Sequence, residues 1–471
     1  MNAMTTTTKT TAFQSINPFD NKLIDSFDEI NNRELETRTA VAHACYATWK
    51  QKSFDERAVV VRQVAQLMRD RSVELARLVT LEMGKLYAEA QGEVELSADI
   101  IEYYAENAEE FLAPQRLHPK SGGHAEIVSS PTGVLLGIQP WNFPYYQLAR
   151  FAAPNIMAGN VVMVKHASNV PQCAMAFEKL WTDAGAPIGT YTNLFISHDQ
   201  VKHVIDDPRI MGVALTGSVE AGKSVASQAG KNLKKTTMEL GGSDAFIVLE
   251  DADIDRTVQW ALWGKMNNTG QCCVAAKRII VMDEIADVFL QKFQVALEGL
   301  KPGDPMDRHT TLGPLSTEAA LIHLLSQVDA AVANGANIIM GGKRINRPGA
   351  FMSPTIITDI KPTNPAFREE FFGPVALFFR VKSEAEAIDL ANDSDFGLGG
   401  CVFTNDDSRG KRVANAVETG MMFINHPTWT AADLPFGGIK NSGYGRELSS
   451  LGIQEFVNKK LIRVANIKAP A

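Results

Sequence analysis

Three short peptides of this chain carry side chains able to make and break bonds. NNTGQCCVAAKR, residues 267–278, follows a long helical run and breaks at Thr269-Gly270, bringing a glutamine and two thiols to the edge of a folded unit. A thiol that reaches a cleft there can serve as a nucleophile, whereas a cysteine held in a core is a small inert hydrophobe. MELGGSDAFIVLE, 238–250, sets Glu239 beside Gly241 and Gly242, which let another chain or a ligand come close. That carboxylate is either a solvated surface group or a base whose affinity for protons is set by its surroundings. PWNFP, 140–144, ends an apolar strand and offers the amide of Asn142, as a hydrogen-bond donor or as the polar residue of a turn. A fourth peptide, GSVEAGKS at 217–224, fits the phosphate-loop pattern G-x-x-x-x-G-K-S/T and opens a nucleoside-triphosphatase reading.

These peptides need elements to hold them. From Asn32 to Phe111 apolar residues recur at helical spacing, as in TAVAHACYATW and AVVVRQVAQLMRDR, and predict four successive amphipathic helices. The period then changes, and HAEIVSSPTGVLLGIQPW reads as extended chain. Between Val134 and Leu249 the short apolar runs VLLGI, NVVMVK, YTNLFIS, MGVALTG and AFIVLE alternate with helical segments, the pattern of a doubly wound parallel sheet. A second series runs from RIIVM through NIIMGG, SPTIITDI, VALFFRV and GCVFT to MMFIN. The expectation is an α/β protein of two units joined near residue 240 with a cleft between them.

The totals narrow the classes. A chain of 471 residues is long enough for two or three cores, and a net charge of −8 gives no overall basic surface for nucleic acid. The amino terminus is polar and threonine-rich, and no segment keeps about 18 apolar residues unbroken, so a soluble cytoplasmic protein without membrane contact is expected. Five cysteines, few and odd in number, read as reduced thiols. Neither C-x-x-C nor H-x-x-x-H spacing occurs, which argues against a metal.

Taken together, PWNFP, LTGS, MELGGSD, NNTGQCC, EEFFGPV and PFGGIKNSGYGRE occur in this order over much of the chain. The set closely resembles the NAD(P)-dependent aldehyde dehydrogenase superfamily, and within it most resembles the bacterial succinate-semialdehyde dehydrogenases, with KHA after the second strand and ELGGSD ahead of the cysteine. The resemblance implies a Rossmann-like cofactor domain (1–117 and 133–239), an α/β catalytic domain (240–430) and a small β oligomerisation extension (118–132 and 450–471). It also implies Cys273 as nucleophile, Asn142 and the Cys273 N–H as oxyanion donors, Glu239 as the base that activates water, and Glu447 as a further acid near the site. Glu447 has the alternative of simply pairing with a cation.

For the cofactor, NADP or NAD, the resemblance implies Trp141, Lys165, Ser168, Gly217, Ser218, Gly222, Leu240, Glu370 and Phe372 as the binding residues. Phe372 has core packing as its alternative. The TGS turn and its helix would then bound a dinucleotide phosphate, with Lys223 an ordinary helix residue. NAD-specific relatives often keep a glutamate where this chain has Ser168, and a neutral hydroxyl there removes the charge repulsion against a 2′-phosphate. Arg150 falls where semialdehyde enzymes keep an arginine for the substrate carboxylate, with a salt bridge as its other possible use. Asn267 stands where many of them carry a second arginine, so a broader range of aliphatic or aromatic aldehydes is the alternative. The loop HPTWTAAD, 426–433, would wall the entrance, with Trp429 either shaping a compact pocket or stacking on an aromatic aldehyde. HAEIVSS and KKLIRVANIK resemble segments that join a homodimer or homotetramer.

Overall fold

A computed structural model describes residues 13–120 and 122–465. Four helices come first, Asn32–Trp49, Phe54–Asp70, Ser72–Met83 and Tyr87–Phe111, as the periodicity predicts. Ser53 begins the second with a capping box, its hydroxyl accepting from the Glu56 N–H and the Glu56 carboxylate accepting in return from the Ser53 N–H. Their apolar faces pack with the first sheet in one continuous core that includes Trp49, Val64, Ile101, Leu136 and Val164.

The first sheet has the spatial order Gly443–Tyr444, Lys235–Glu239, Ile210–Thr216, Val134–Gln139, Val161–His166 and Tyr191–Asn193. All of it is parallel except the terminal two-residue strand, which runs antiparallel to Lys235–Glu239. The chain enters at Val134–Gln139, builds outward to Tyr191–Asn193, then returns to the other side of its starting strand. That reversal leaves a crevice beyond the carboxyl ends of Val134–Gln139 and Ile210–Thr216, where doubly wound folds bind ligands.

The second sheet runs Asn337–Met340, Thr355–Thr358, Val375–Val381, Ala276–Met282, Asp244–Val248, Gly400–Phe403 and Phe423–Ile424, parallel but for its first strand. Here one sequence-based expectation is corrected. AFIVLE belongs to this second sheet, and the fifth strand of the first is KTTME, whose single strongly apolar residue gave no hydrophobic run to find. The hairpin Phe13–Asn17 with Lys22–Phe27 was hidden in the same way by polar composition.

A third sheet of three antiparallel strands joins Val457–Val464 to His124–Pro131 and Gln115–Leu117. Among the described residues no helix is long and apolar enough to cross a membrane, and no cluster of three or more potential metal ligands occurs. The expected oligomerisation residues 466–471 and the first twelve residues of the expected cofactor domain lie outside the described residues.

Candidate active site

A cavity of about 340 Å³ opens at the predicted crevice, lined among others by Trp141, Asn142, Gly217, Ser218, Glu239, Leu240, Cys273, Glu370 and Phe372. Nine of the residues singled out in the sequence thus meet at one place, delivered by the ends of three strands and by the loops before Ala276–Met282 and Val375–Val381.

The Cys273 loop is shaped by an unusual turn. Asn268, Thr269 and Gly270 all take left-handed backbone angles, φ 52°, 55° and 76°. Two successive non-glycine residues in that region cost free energy unless neighbours impose it. The Asn268 side-chain amide donates to the carbonyls of Asn142 at 2.8 Å and Gln271 at 3.1 Å, and the Asn268 N–H donates to the Glu89 carboxylate. A Cβ on Gly270 would stand 2.2 Å from the Gly373 carbonyl, so only glycine fits the last step. The Gln271 carboxamide is held at both ends, accepting from the Ser316 N–H and donating to the Asn268 carbonyl.

Asn142 is buried and donates one amide hydrogen to the Gln271 carbonyl at 3.2 Å. A primary amide carries two donors, so the second is available at the cavity. Cys272 and Cys273 are adjacent thiols that titrate as a pair. Interaction with Cys273 draws Cys272 below the ordinary thiol range, and interaction with Cys272, then burial, holds Cys273 well above it. Of the two, Cys273 lines the cavity.

Glu239 is 3% exposed and neither of its oxygens has a protein partner. Burial, and then the nearby Glu447 carboxylate, push it well above the usual carboxylate range. A buried carboxylate without donors is a strong base once ionised, and it faces the same cavity as the thiol.

Gly217 and Ser218 form a two-residue step from the strand Ile210–Thr216 to the helix Val219–Lys231, with the Ser218 hydroxyl capping the Ala221 N–H at 3.3 Å. The helix already contains Gly222 and Lys223, so no loop remains to wrap a triphosphate, and Lys223 pairs with Glu220 in solvent. The triphosphatase reading is overturned. What remains is an open helix amino terminus, suited to a phosphate. Gly222 lets Leu240 press on this helix, since a Cβ there would lie 2.6 Å from the leucine methyls.

Trp141 and Phe372 meet edge to face at 5.8 Å across the cavity wall. Glu370 accepts from the Gly242 N–H at 3.1 Å and pairs with Lys277 at 3.0 Å. Lys165 lies on the neighbouring strand, buried, with its ammonium donating to the His166 carbonyl, while Ser168 three residues on is exposed. Neither of these two lines the cavity.

Neither residue expected to meet the substrate is among those lining this cavity. The Arg150 side chain is 0% exposed and forms an ion pair with Glu447, with further bonds to the Tyr146 hydroxyl and the Thr216 hydroxyl at 3.1 Å each. It is not among the residues lining the cavity, and here it has the salt-bridge use, in buried form. Glu447 accordingly pairs with a cation rather than standing free beside the thiol. Trp429 packs on Trp263 at 4.8 Å and is outside the cavity lining. Conversely, sequence reading passed over Gln147 and the cavity face of the helix Glu318–Ala333, with Ala320, His323, Leu324 and Gln327. The spacing of His323 and Gln327, four apart on a mostly apolar helix, was the available signal.

Known proteins resemble this chain along nearly its whole length. The aldehyde dehydrogenase family model matches residues 4–462. The chain is 50% identical to the NADP(+) succinate-semialdehyde dehydrogenase of Deinococcus radiodurans, over 96% of this chain and 94% of that one. It is 42% identical to a probable enzyme of the same name from Synechocystis, over 96% and 100%. A solved structure of succinic semialdehyde dehydrogenase from Streptococcus pyogenes in complex with NADP+ superposes with a TM-score of 0.95 at 47% identity, covering 97% of this chain and all of that one. With a thiol, an unpartnered carboxylate and an amide donor around one crevice, and likeness along nearly its whole length, the chain belongs to the aldehyde dehydrogenase family.

Proposed function

We propose that the protein oxidises succinic semialdehyde to succinate with NADP, through a covalent adduct on Cys273. The observation that carries this reading is the convergence of Cys273, Glu239 and Asn142 on one cavity. The relatives named above supply the substrate and cofactor.

Ionised Cys273 attacks the aldehyde carbon and forms a thiohemiacetal, and the second N–H of Asn142 with the Cys273 N–H stabilises its oxyanion. Removing one donor of this kind costs about 2.7–4 kcal/mol of transition-state stabilisation. Bound NADP supplies the acceptor for the hydride that leaves the same carbon. Glu239 then takes a proton from the water that attacks the remaining thioester, and Cys273 departs as thiolate with release of the acid.

The residues present fit the dinucleotide. The open helix amino terminus at Ser218 and the unobstructed Gly217 suit its pyrophosphate. Lys165 and Ser168 suit the adenosine ribose and a 2′-phosphate, Glu370 the nicotinamide ribose, and Trp141, Leu240 and Phe372 the ring and its surroundings. We assign residues 1–117 and 133–239 to cofactor binding, 240–430 to catalysis, and 118–132 with 450–471 to assembly as a homodimer or homotetramer. Exposed Leu461, Ile462 and Val464 on the edge of the third sheet support the last assignment. Five unbridged cysteines suit the cytoplasm.

Burial of Arg150 favours a second reading, a broader aldehyde specificity. Purified protein assayed with succinic semialdehyde, short aliphatic aldehydes and aromatic aldehydes, each with NADP and NAD, separates the two. The highest kcat/KM with succinic semialdehyde and NADP supports the first. Equal values across the panel favour the second, and no reduced nucleotide from any pair rejects both.

A further inference from the structure

Lys277 lies at the start of the strand Ala276–Met282, with its side chain 0% exposed. Its ammonium donates to the carbonyls of Cys272 at 2.8 Å and Cys273 at 2.7 Å, pairs with Glu370 at 3.0 Å, and stands 5.6 Å from the centre of the Phe372 ring. One buried cation thus touches the nucleophile loop and both nicotinamide-side residues of the reading above, on which this inference rests.

The Cys272 carbonyl belongs to the same peptide unit as the Cys273 N–H. Donation to that oxygen fixes the peptide plane, and it polarises the unit so that its N–H becomes a better donor. We propose that Lys277 is a positioning residue that orients and polarises the Cys272–Cys273 peptide at the oxyanion site and ties it to Glu370, so that the nucleophile loop and the cofactor's ribose seat are held as one unit.

The surroundings support a charged Lys277. Burial pulls its pKa down, but Glu370 and Asp244 outweigh this and hold it above the ordinary lysine range. Its buried neighbour Lys265 has no hydrogen-bond partner for its amine, and burial pushes its pKa well down. Cys273 also feels Cys272, Arg150 and Tyr146.

The test compares Lys277→Met and Lys277→Arg with the wild type in three readouts: steady-state kinetics with succinic semialdehyde and NADP, iodoacetamide alkylation of Cys273 against pH, and circular dichroism. Folded K277M is expected to lose about 10- to 100-fold in kcat. It is also expected to raise the KM for NADP and alkylate at higher pH, with K277R recovering part of the kcat. Native kcat within about twofold and an unmoved alkylation profile would overturn the proposal. So would a lower kcat with unmoved alkylation and unmoved NADP KM, the mark of a merely structural lysine.

Should K277M not fold, Glu370→Gln decides. Without the carboxylate, Lys277 acts more strongly on the thiols, and alkylation should shift to lower pH; an unchanged profile sinks the coupling. A wild type inactive on every aldehyde would reject the proposed function, while the alkylation comparison would still judge Lys277.

Discussion

Arg150 and Glu447 form a buried ion pair, the arginine from the helix Pro144–Met157 and the glutamate from the segment that follows the strand Gly443–Tyr444. The arginine lies over the rings of Tyr146 and Phe436 at 5.0 and 4.7 Å, so its charge is shared with their faces. Breaking such a pair from one side leaves a lone buried charge and costs about 3–5 kcal/mol.

Arg150→Met should therefore lower the denaturant midpoint clearly. It should also reduce kcat/KM for succinic semialdehyde and for an uncharged aldehyde of equal length by the same factor. A loss confined to carboxylated aldehydes would return Arg150 to the role of substrate anchor.

Glu239 gives a pH-dependent expectation. As a base it works only when ionised, and burial followed by the charge of Glu447 raises its pKa, so kcat should climb as pH rises through that raised value. Glu239→Gln should lose about 100-fold or more in kcat and abolish that limb. Stability runs the other way. The folded state keeps the proton to higher pH than the unfolded chain, so the native fold loses stability as pH rises from the ordinary glutamate range to the raised value. The glutamine variant should consequently melt higher than the wild type at the alkaline end of that window, read by thermal scans across pH.

The thiol pair gives a third. The adjacent Cys272, and then burial, raise the pKa of Cys273. Cys272→Ala should move the alkylation profile of Cys273 to lower pH and leave the enzyme active, whereas Cys273→Ala should be inactive. Loss of activity in Cys272→Ala with native circular dichroism would assign the nucleophile to the other sulfur.

Cofactor choice is tested at Ser168, exposed three residues after Lys165. Ser168→Glu places a like charge beside a 2′-phosphate and should raise the KM for NADP about 10-fold or more with little effect on NAD. Equal shifts for both nucleotides would remove Ser168 from the phosphate site.

Most of the fold could be read from residue order, because both parallel sheets are built from strands buried on two faces, and these appear as apolar runs such as VVMV and RIIVM. KTTME escaped because its burial is supplied by neighbours rather than by its own hydrophobicity. The residues that line the cavity were legible where they sit in short peptides at strand ends. The Arg150–Glu447 pair was not, since it depends on the chain returning after the second sheet to add Gly443–Tyr444 beside Glu239. Lys277 did leave a trace: two adjacent cations, Lys277 and Arg278, open a strand that is otherwise apolar, and cations buried in that way require partners.

That late return bears on how the protein is made. The helices and the central strands of the first sheet emerge early from the ribosome, yet Arg150 finds its counter-charge only when translation has delivered Glu447. Burial of Arg150 before that point would leave a cation without its carboxylate partner. A chain stalled short of Glu447 would hold Arg150 without its carboxylate partner.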